Sequence, residues 1–242
     1  LNSNIEIIFV TSKTYDEVLK IKKKLNINYP FAVENGACIF FPLDYFKNSQ
    51  VKYNFIKYKK HIGLKISNLK SDDIYNNFNY LKEKYRFLFY NELSEKKILK
   101  ITNLNYKDIK LSKIRQFSNP IYWEDSLFKK QKFKKEIYSM KKRVSIFDGG
   151  RFLHILDNYD KGIAVKKILE IKKKIDTPFK TISIGDSEND IPMLELTDFA
   201  CIIKSKRNIV LKNKNIFKSN LIAPEGWRES LDYCLKKEIE NF

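Results

Sequence analysis

Gly185-Asp186-Ser187-Glu188-Asn189-Asp190 sets carboxylates directly after the apolar run Thr181 to Ile184. In open α/β sheets, ligands gather at the C-terminal ends of strands. Gly185 permits a sharp turn there, and Asp186 and Asp190 then fall close together across one helical turn. Hard oxygen donors in such a turn suit Mg²⁺, which takes few protein ligands and keeps waters for a substrate phosphate. The alternative is a helix start decorated with ordinary capping acids, and the metal reading is the stronger of the two.

Other residues carry weaker signals of the same kind. Lys161, in Asp160-Lys161-Gly162, opens a predicted helix, where its charge opposes the helix dipole unless it faces an anion. Thr11 and Ser12 follow the apolar stretch Ile5 to Val10, and hydroxyls with free backbone N–H groups at a strand end can hold phosphoryl oxygens. A plain polar turn reads the same way. Glu34-Asn35-Gly36 is a turn by composition, and a substrate-contact loop if the neighbouring signals hold. Arg151 has a fork suited to a carboxylate or phosphate. On an extended strand it would face away from His154 unless Gly149 and Gly150 supply a bulge.

The elements that must position these residues can be read from periodicity. A strand is expected over Ile5–Val10, then a helix from about Tyr15 to Leu25 opened by the capping box Thr14/Glu17. Short strands follow at Phe31–Val33 and Ala37–Phe41. From about Lys59 to Ile155, strands and lysine-rich helices mix. One predicted helix sets Ile74, Phe78, Leu81 and Tyr85 on one face after a cap at Ser71. Another is marked by Leu127, Phe133, Ile137 and Met140. Arg143–Phe147 and Phe152–Ile155 read as a hairpin around Asp148-Gly149-Gly150. Strand-helix alternation then returns: a helix from Lys161 to about Ile175, a strand at Thr181–Ile184, a short helix at Asp190–Leu196, a strand at Phe199–Ile203 and a helix near Trp227–Leu235. This implies an α/β fold, a Rossmann-like doubly wound parallel sheet with an inserted α/β cap domain. The expected boundaries are 1–58 and 157–242 for the core and 59–156 for the cap.

Bulk properties narrow the function classes. The net charge of +18 suggests nucleic acid. However, only Arg86, Arg115, Arg143, Arg151, Arg207 and Arg228 are arginine, the lysines occupy polar helix faces, and no strand pattern interleaves base-stacking aromatics with arginine. A solvated basic surface is therefore expected, one that could steer an anionic substrate. No run of about 18 apolar residues is present, so no membrane span is expected. Cys38, Cys201 and Cys234 lack metal spacing and fit reduced thiols of a cytoplasmic protein.

A hydroxyl after a strand, a lysine opening a helix, and Gly-Asp-Ser-x-Asn-Asp after a strand together resemble motifs two, three and four of the haloacid dehalogenase superfamily. More narrowly, the chain resembles the mannosyl-3-phosphoglycerate phosphatase family. The carrying stretches are Val10 to Thr14 (VTSKT), Pro30 to Ala37 (PFAVENGA), Phe117 to Trp123, Gly149 to Ile155 (GGRFLHI), Asp160 to Gly162, Gly185 to Leu194 (GDSENDIPML) and Ala223 to Trp227 (APEGW). That family removes phosphate from mannosyl-3-phosphoglycerate to give mannosylglycerate. The resemblance implies Mg²⁺ held by Asp186, with Asn189 and Asp190 ordering its shell. It implies Thr11 gripping the phosphoryl group and Lys161 neutralising charge. Substrate contacts are implied for Ser12, Lys13, Glu34, Asn35, Gly150, Arg151 and His154. The expected partner is a small phosphosugar.

One departure stands out. Such enzymes attack phosphorus with the first aspartate of an Asp-x-Asp motif on their first strand, and these 242 residues contain no Asp-x-Asp. The expectation is that roughly 30 residues, a strand and a helix, lie upstream of Leu1. On that expectation, residues 1–242 alone are inactive and poorly soluble, because their sheet would lack a central strand. The rival readings are the same fold acting on glucosyl-3-phosphoglycerate or sucrose phosphate, and a non-catalytic binding protein.

Overall fold

The strand expected over Ile5–Val10 pairs only at Phe9–Val10 (β1), in parallel register with Phe31 and Ala32. The reason lies in the partner. One residue before Phe31 stands Pro30, which has no N–H to extend the ladder, and Ile5 and Ile7 are left 45% exposed. The computed structural model describes residues 5–47, 53–140, 144–175, 178–206, 208–212 and 215–240, the last three by backbone alone. They form two compact units, Leu1–Asp160 and Lys161–Phe242.

In the first unit, α1 (Tyr15–Leu25) starts at the expected box. Thr14 Oγ1 accepts from Glu17 N at 3.3 Å, and Glu17 Oε2 accepts from Thr14 N at 2.9 Å. The hairpin β2 (Phe31–Val33) and β3 (Cys38–Pro42) turns through Glu34, Asn35 and Gly36, all at positive φ. A second hairpin, β4 (Ile56–Tyr58) and β5 (His61–Lys65), was not expected and extends the sheet. The order β1-β2-β3-β5-β4 is parallel only at its first pair and antiparallel beyond. α1 covers this sheet through Tyr15 and Val18, which pack with Phe31 and Phe40. Tyr15 Oη and His61 Nδ1 lie 2.7 Å apart. Burial, and then the charge of Lys22, push His61 down to about 4, so this histidine is a neutral core residue.

The rest of that unit is an α/β layer. α2 (Ser71–Phe78), α3 (Glu95–Thr102), α4 (Tyr106–Ser112) and α5 (Leu127–Ser139) accompany a four-stranded antiparallel sheet. Its strands are β6 (Phe87–Phe89), β7 (Ile121–Trp123), β8 (Ser145–Asp148) and β9 (Leu153–Leu156), in the order β6-β7-β9-β8. Strand alternation sends Phe87 and Phe89 to a core with Ile74, Phe78, Phe133 and Ile137, while Leu88 joins Ile98 and Ile109. The expected face of Ile74, Phe78, Leu81 and Tyr85 is buried, although the α-helix ends at Phe78 and continues as a 3₁₀ turn. One expectation fails here, the cap of α2, while the helix marked by Leu127, Phe133 and Ile137 forms as α5. Lys70, not Ser71, is the N-cap of α2, because Ser71 N donates to Gln116 O. Leu127 is 79% exposed, because it stands at the start of α5, away from the face that buries Phe133 and Ile137. Of the expected β8 span, Arg143 lies outside the described residues. Asp157 joins the two strand connections of this layer, accepting from Ser67 Oγ at 3.0 Å and Asn68 N at 2.6 Å.

The second unit carries a parallel sheet in the order β10-β11-β12: β10 (Ile182–Gly185), β11 (Phe199–Ile202) and β12 (Ile216–Lys218). Its helices are α6 (Lys161–Lys172), α7 (Ile191–Leu194) and α8 (Glu225–Glu240). Among the described residues no helix is long and apolar enough to cross a membrane. Gly162 lets α6 approach α7: a Cβ there would lie 2.6 Å from Pro192 O and 2.7 Å from its carbonyl carbon. That backbone cannot swing aside. Gly162→Ala should therefore lose about 1–3 kcal/mol of stability by overpacking, despite alanine's better helix propensity. A lowered urea midpoint checks this, and an unchanged or raised midpoint would refute the contact.

Candidate active site

In the second unit, Lys161, Asp186, Asn189 and Asp190 are brought together at the C-terminal end of β10. Asp190 is 4% exposed and both its oxygens are engaged. Oδ1 takes the Lys161 ammonium at 2.5 Å, while Oδ2 accepts from Asp186 N and Ser187 N, each at 3.0 Å, and from Ser187 Oγ at 2.7 Å. Burial alone would raise the Asp190 carboxyl. The charge and hydrogen bond of Lys161, with those of Ser187 and the Asp186 amide, outweigh it and hold the group below the usual carboxylate range. Asp190 thus fixes the turn and the lysine from behind, rather than offering a free ligand oxygen. Asn189 is buried, with its Oδ1 2.6 Å from Ser187 Oγ. Gly185 is required by this arrangement, since a Cβ would stand 2.5 Å from Asp190 Cβ.

Asp186 differs from Asn189 and Asp190. It is exposed, and among the described residues its carboxylate makes no hydrogen bond or ion pair. A carboxylate without a partner among the described residues, at a strand end and in a turn whose Asp190 is neutralised by Lys161, is a hard-oxygen donor that fits Mg²⁺. No group of three or more His, Cys, Asp or Glu residues forms a ready-made metal cage among the described residues.

In the first unit, the loop after β1 is held by its carbonyls. Thr11 O accepts from Asn35 N at 2.8 Å, Ser12 O from Arg115 Nη2 at 2.8 Å, and Lys13 O from Glu34 N at 2.9 Å. Thr11 Oγ1 accepts from Lys13 N at 3.2 Å, which leaves its proton to donate. Ser12 N–H and Ser12 Oγ make no hydrogen bond among the described residues. With carbonyls drawn into the fold and an amide and hydroxyls left over, the loop can bind an oxyanion. Lys13 Nζ pairs with Glu17 at 3.1 Å.

Glu34 and Asn35 lie just behind this loop, with different duties. Glu34 is 1% exposed. Its Oε1 accepts from Gln116 N at 2.9 Å, and its Oε2 from Phe117 N at 3.1 Å, Ser118 N at 2.8 Å and Ser118 Oγ at 2.7 Å. A carboxylate sealed by four donors organises the 116–118 segment and has no face left for substrate. Asn35 Nδ2 lies 3.1 Å from His154 Nδ1, joining the β2–β3 turn to β9. His154 is 6% exposed and sits over Gly149, where a Cβ would stand 2.8 Å from its Nε2. Arg151 is exposed in the β8–β9 turn, and Gly150, at φ 89°, gives its N–H to Asp148 Oδ1 at 2.8 Å.

Arg115 was missed in the sequence. It is one of only six arginines among 47 basic residues, and that rarity was the available signal.

A model of haloacid dehalogenase-like hydrolases matches residues 1–237. The mannosyl-3-phosphoglycerate phosphatase of Pyrococcus furiosus is 32% identical over 216 residues, covering 89% of this chain and 85% of that protein. The chain belongs to the mannosyl-3-phosphoglycerate phosphatase family of haloacid dehalogenase-like hydrolases. A Persephonella marina relative, a glucosyl-3-phosphoglycerate/mannosyl-3-phosphoglycerate phosphatase, is 34% identical over 247 aligned positions, covering 98% of this chain and 86% of that protein. A solved Streptococcus mutans structure shares the fold with a TM-score of 0.66 at 19% identity, covering 96% of this chain and 86% of that one. This member of the family is accordingly a phosphoric monoester hydrolase of the sugar-phosphatase kind, built as a Rossmann-like core with a cap.

Proposed function

We propose that the protein is a Mg²⁺-dependent phosphatase converting mannosyl-3-phosphoglycerate to mannosylglycerate and phosphate through an aspartyl-phosphate intermediate whose nucleophile is not among these 242 residues. The observation that carries this is the 11–13 loop, whose three carbonyls are all held from behind while Ser12 N–H makes no hydrogen bond among the described residues. In this reading Thr11 and Ser12 grip phosphoryl oxygens, and Lys161, oriented by Asp190, neutralises charge on the transferring group. Asp186 holds Mg²⁺, with Asn189 and Asp190 ordering its turn. The ion, when bound, stabilises the developing phosphoryl charge. Asn35, His154, Arg151 and Lys13 face the glycerate carboxylate or the sugar. Glu34 acts through the segment that it fixes, and Gly150 through the turn. The four-stranded layer with its helices is the cap, and the basic surface draws in an anionic substrate.

A second reading has one observation behind it: the Persephonella marina relative carries both sugar names. The test is phosphate release by the full-length protein from mannosyl-3-phosphoglycerate, glucosyl-3-phosphoglycerate and sucrose phosphate, with Mg²⁺ and with chelator. The expected result is the highest kcat/KM on the mannosyl ester, abolished by chelator. A higher value on another ester would move the substrate and keep the mechanism. Release unaffected by chelator would remove the metal, and silence on every ester would leave a binding protein.

A further inference from the structure

The Arg115 side chain is 8% exposed, and one guanidinium serves several partners. Nη2 donates to Ser12 O at 2.8 Å and to Ser118 Oγ at 2.8 Å. Nε donates to Ser118 Oγ at 3.1 Å and lies 3.8 Å from Glu34 Oε2. The guanidinium carbon also stands 5.8 Å from the centre of the Tyr90 ring. Of these partners, Ser12 lies in the loop after β1, and Glu34 reaches the same loop through its N–H on Lys13 O.

A trans peptide is planar, so the direction of its C=O dictates the opposite direction of the next N–H. Holding Ser12 C=O therefore aims Lys13 N–H, and that N–H reaches Thr11 Oγ1 at 3.2 Å. An accepted hydrogen bond at Oγ1 orients the Thr11 hydroxyl and leaves its proton for an external acceptor. We propose that Arg115 is a positioning residue for phosphoryl transfer, acting through the Ser12 carbonyl and the Lys13 amide to aim the Thr11 hydroxyl at the phosphoryl group. The proposal rests on the phosphatase reading above. The planar fork is what allows Ser12 O and Ser118 Oγ to be held at once. A lysine would keep the charge beside Glu34 but lose that geometry.

The experiment is a double-mutant cycle with Arg115→Lys and Thr11→Ala in the full-length protein, with kcat, KM and the urea midpoint measured for all four forms. The hydroxyl bonds a charge that grows in the transition state, so Arg115→Lys should lower kcat by about ten- to a hundredfold, with KM changed less than about threefold. In the Thr11→Ala background the same substitution should cost less than about threefold, because there is no hydroxyl left to aim. Equal losses in both backgrounds, or a loss confined to KM or to the urea midpoint, would overturn the positioning role. A wild-type protein that neither turns over any ester nor binds inorganic phosphate by calorimetry fails the phosphatase reading instead, and takes the proposal with it.

Discussion

Asp186→Ala should cut kcat/KM by at least about a thousandfold while leaving the protein as stable as before. The two halves of that result come from the same observation. The carboxylate is exposed and has no partner among the described residues, so its removal breaks no contact there, and surface changes of that sort stay within about 0.5 kcal/mol. The turn itself is unaffected, because Asp186 contributes its backbone N–H to Asp190, not its side chain. A Lewis acid at a phosphoryl oxygen is worth several kcal/mol of transition-state stabilisation, and about 1.4 kcal/mol is a factor of ten. Steady-state kinetics in Mg²⁺, with the Mg²⁺-induced shift in melting temperature as a second readout, check both halves. Retained activity would move the metal elsewhere. A large drop in stability would mean that Asp186 has a structural role absent from the fold described above.

The second large effect concerns the pair behind it. Lys161→Met should reduce kcat by about a hundred- to a thousandfold, the loss seen when one donor to a developing oxyanion is removed. It should also destabilise the protein by about 3 kcal/mol. The Lys161 and Asp190 side chains are 9% and 6% exposed, and removing one partner leaves the other charge buried. Asp190 then keeps only Ser187 and the backbone amides. Adding Asp190→Asn should recover much of the stability and none of the activity.

The sign of the pH dependence follows from Asp190. Its folded value is depressed, so its stabilising contribution is complete above the unfolded aspartate value, about 3.9, and is lost as pH falls through the lower folded value. Without Lys161 the folded value rises, so acid unfolding of Lys161→Met should begin at higher pH than in the wild type. Urea titrations across pH 3–7 measure this. An acid limb coincident with the wild type would show that the ion pair does not set it.

Several features were legible before any coordinates because the forces that make them act over a few residues. The capping box at Thr14 and Glu17 satisfies N–H groups within four positions, and α1 runs as read, Tyr15 to Leu25. The Glu34-Asn35-Gly36 turn needs only positive φ at consecutive residues. The Gly185 to Asp190 turn closes on itself through Ser187, so its resemblance to a phosphatase motif survived in the string. Strand ends were less legible. β1 stops where its partner strand meets Pro30, a fact written 20 residues away, and the β4–β5 hairpin joins the sheet through β3.

What only the tertiary structure decided is which charges remain free. Glu34, Asp186 and Asp190 look alike as letters beside a turn. Packing seals Glu34 beneath the 116–118 amides and Asp190 beneath Lys161, and leaves Asp186 open. A carboxylate's availability depends on donors that reach it from distant parts of the chain, and local pattern carries no record of them. The same reason hid Arg115, whose contact with Ser12 spans 103 positions. The sequence set the fold class and the order of the chemical groups, because short-range hydrogen bonding and hydrophobic period specify those. The division of labour among the groups was settled when long-range packing fixed which oxygens and amides were already satisfied.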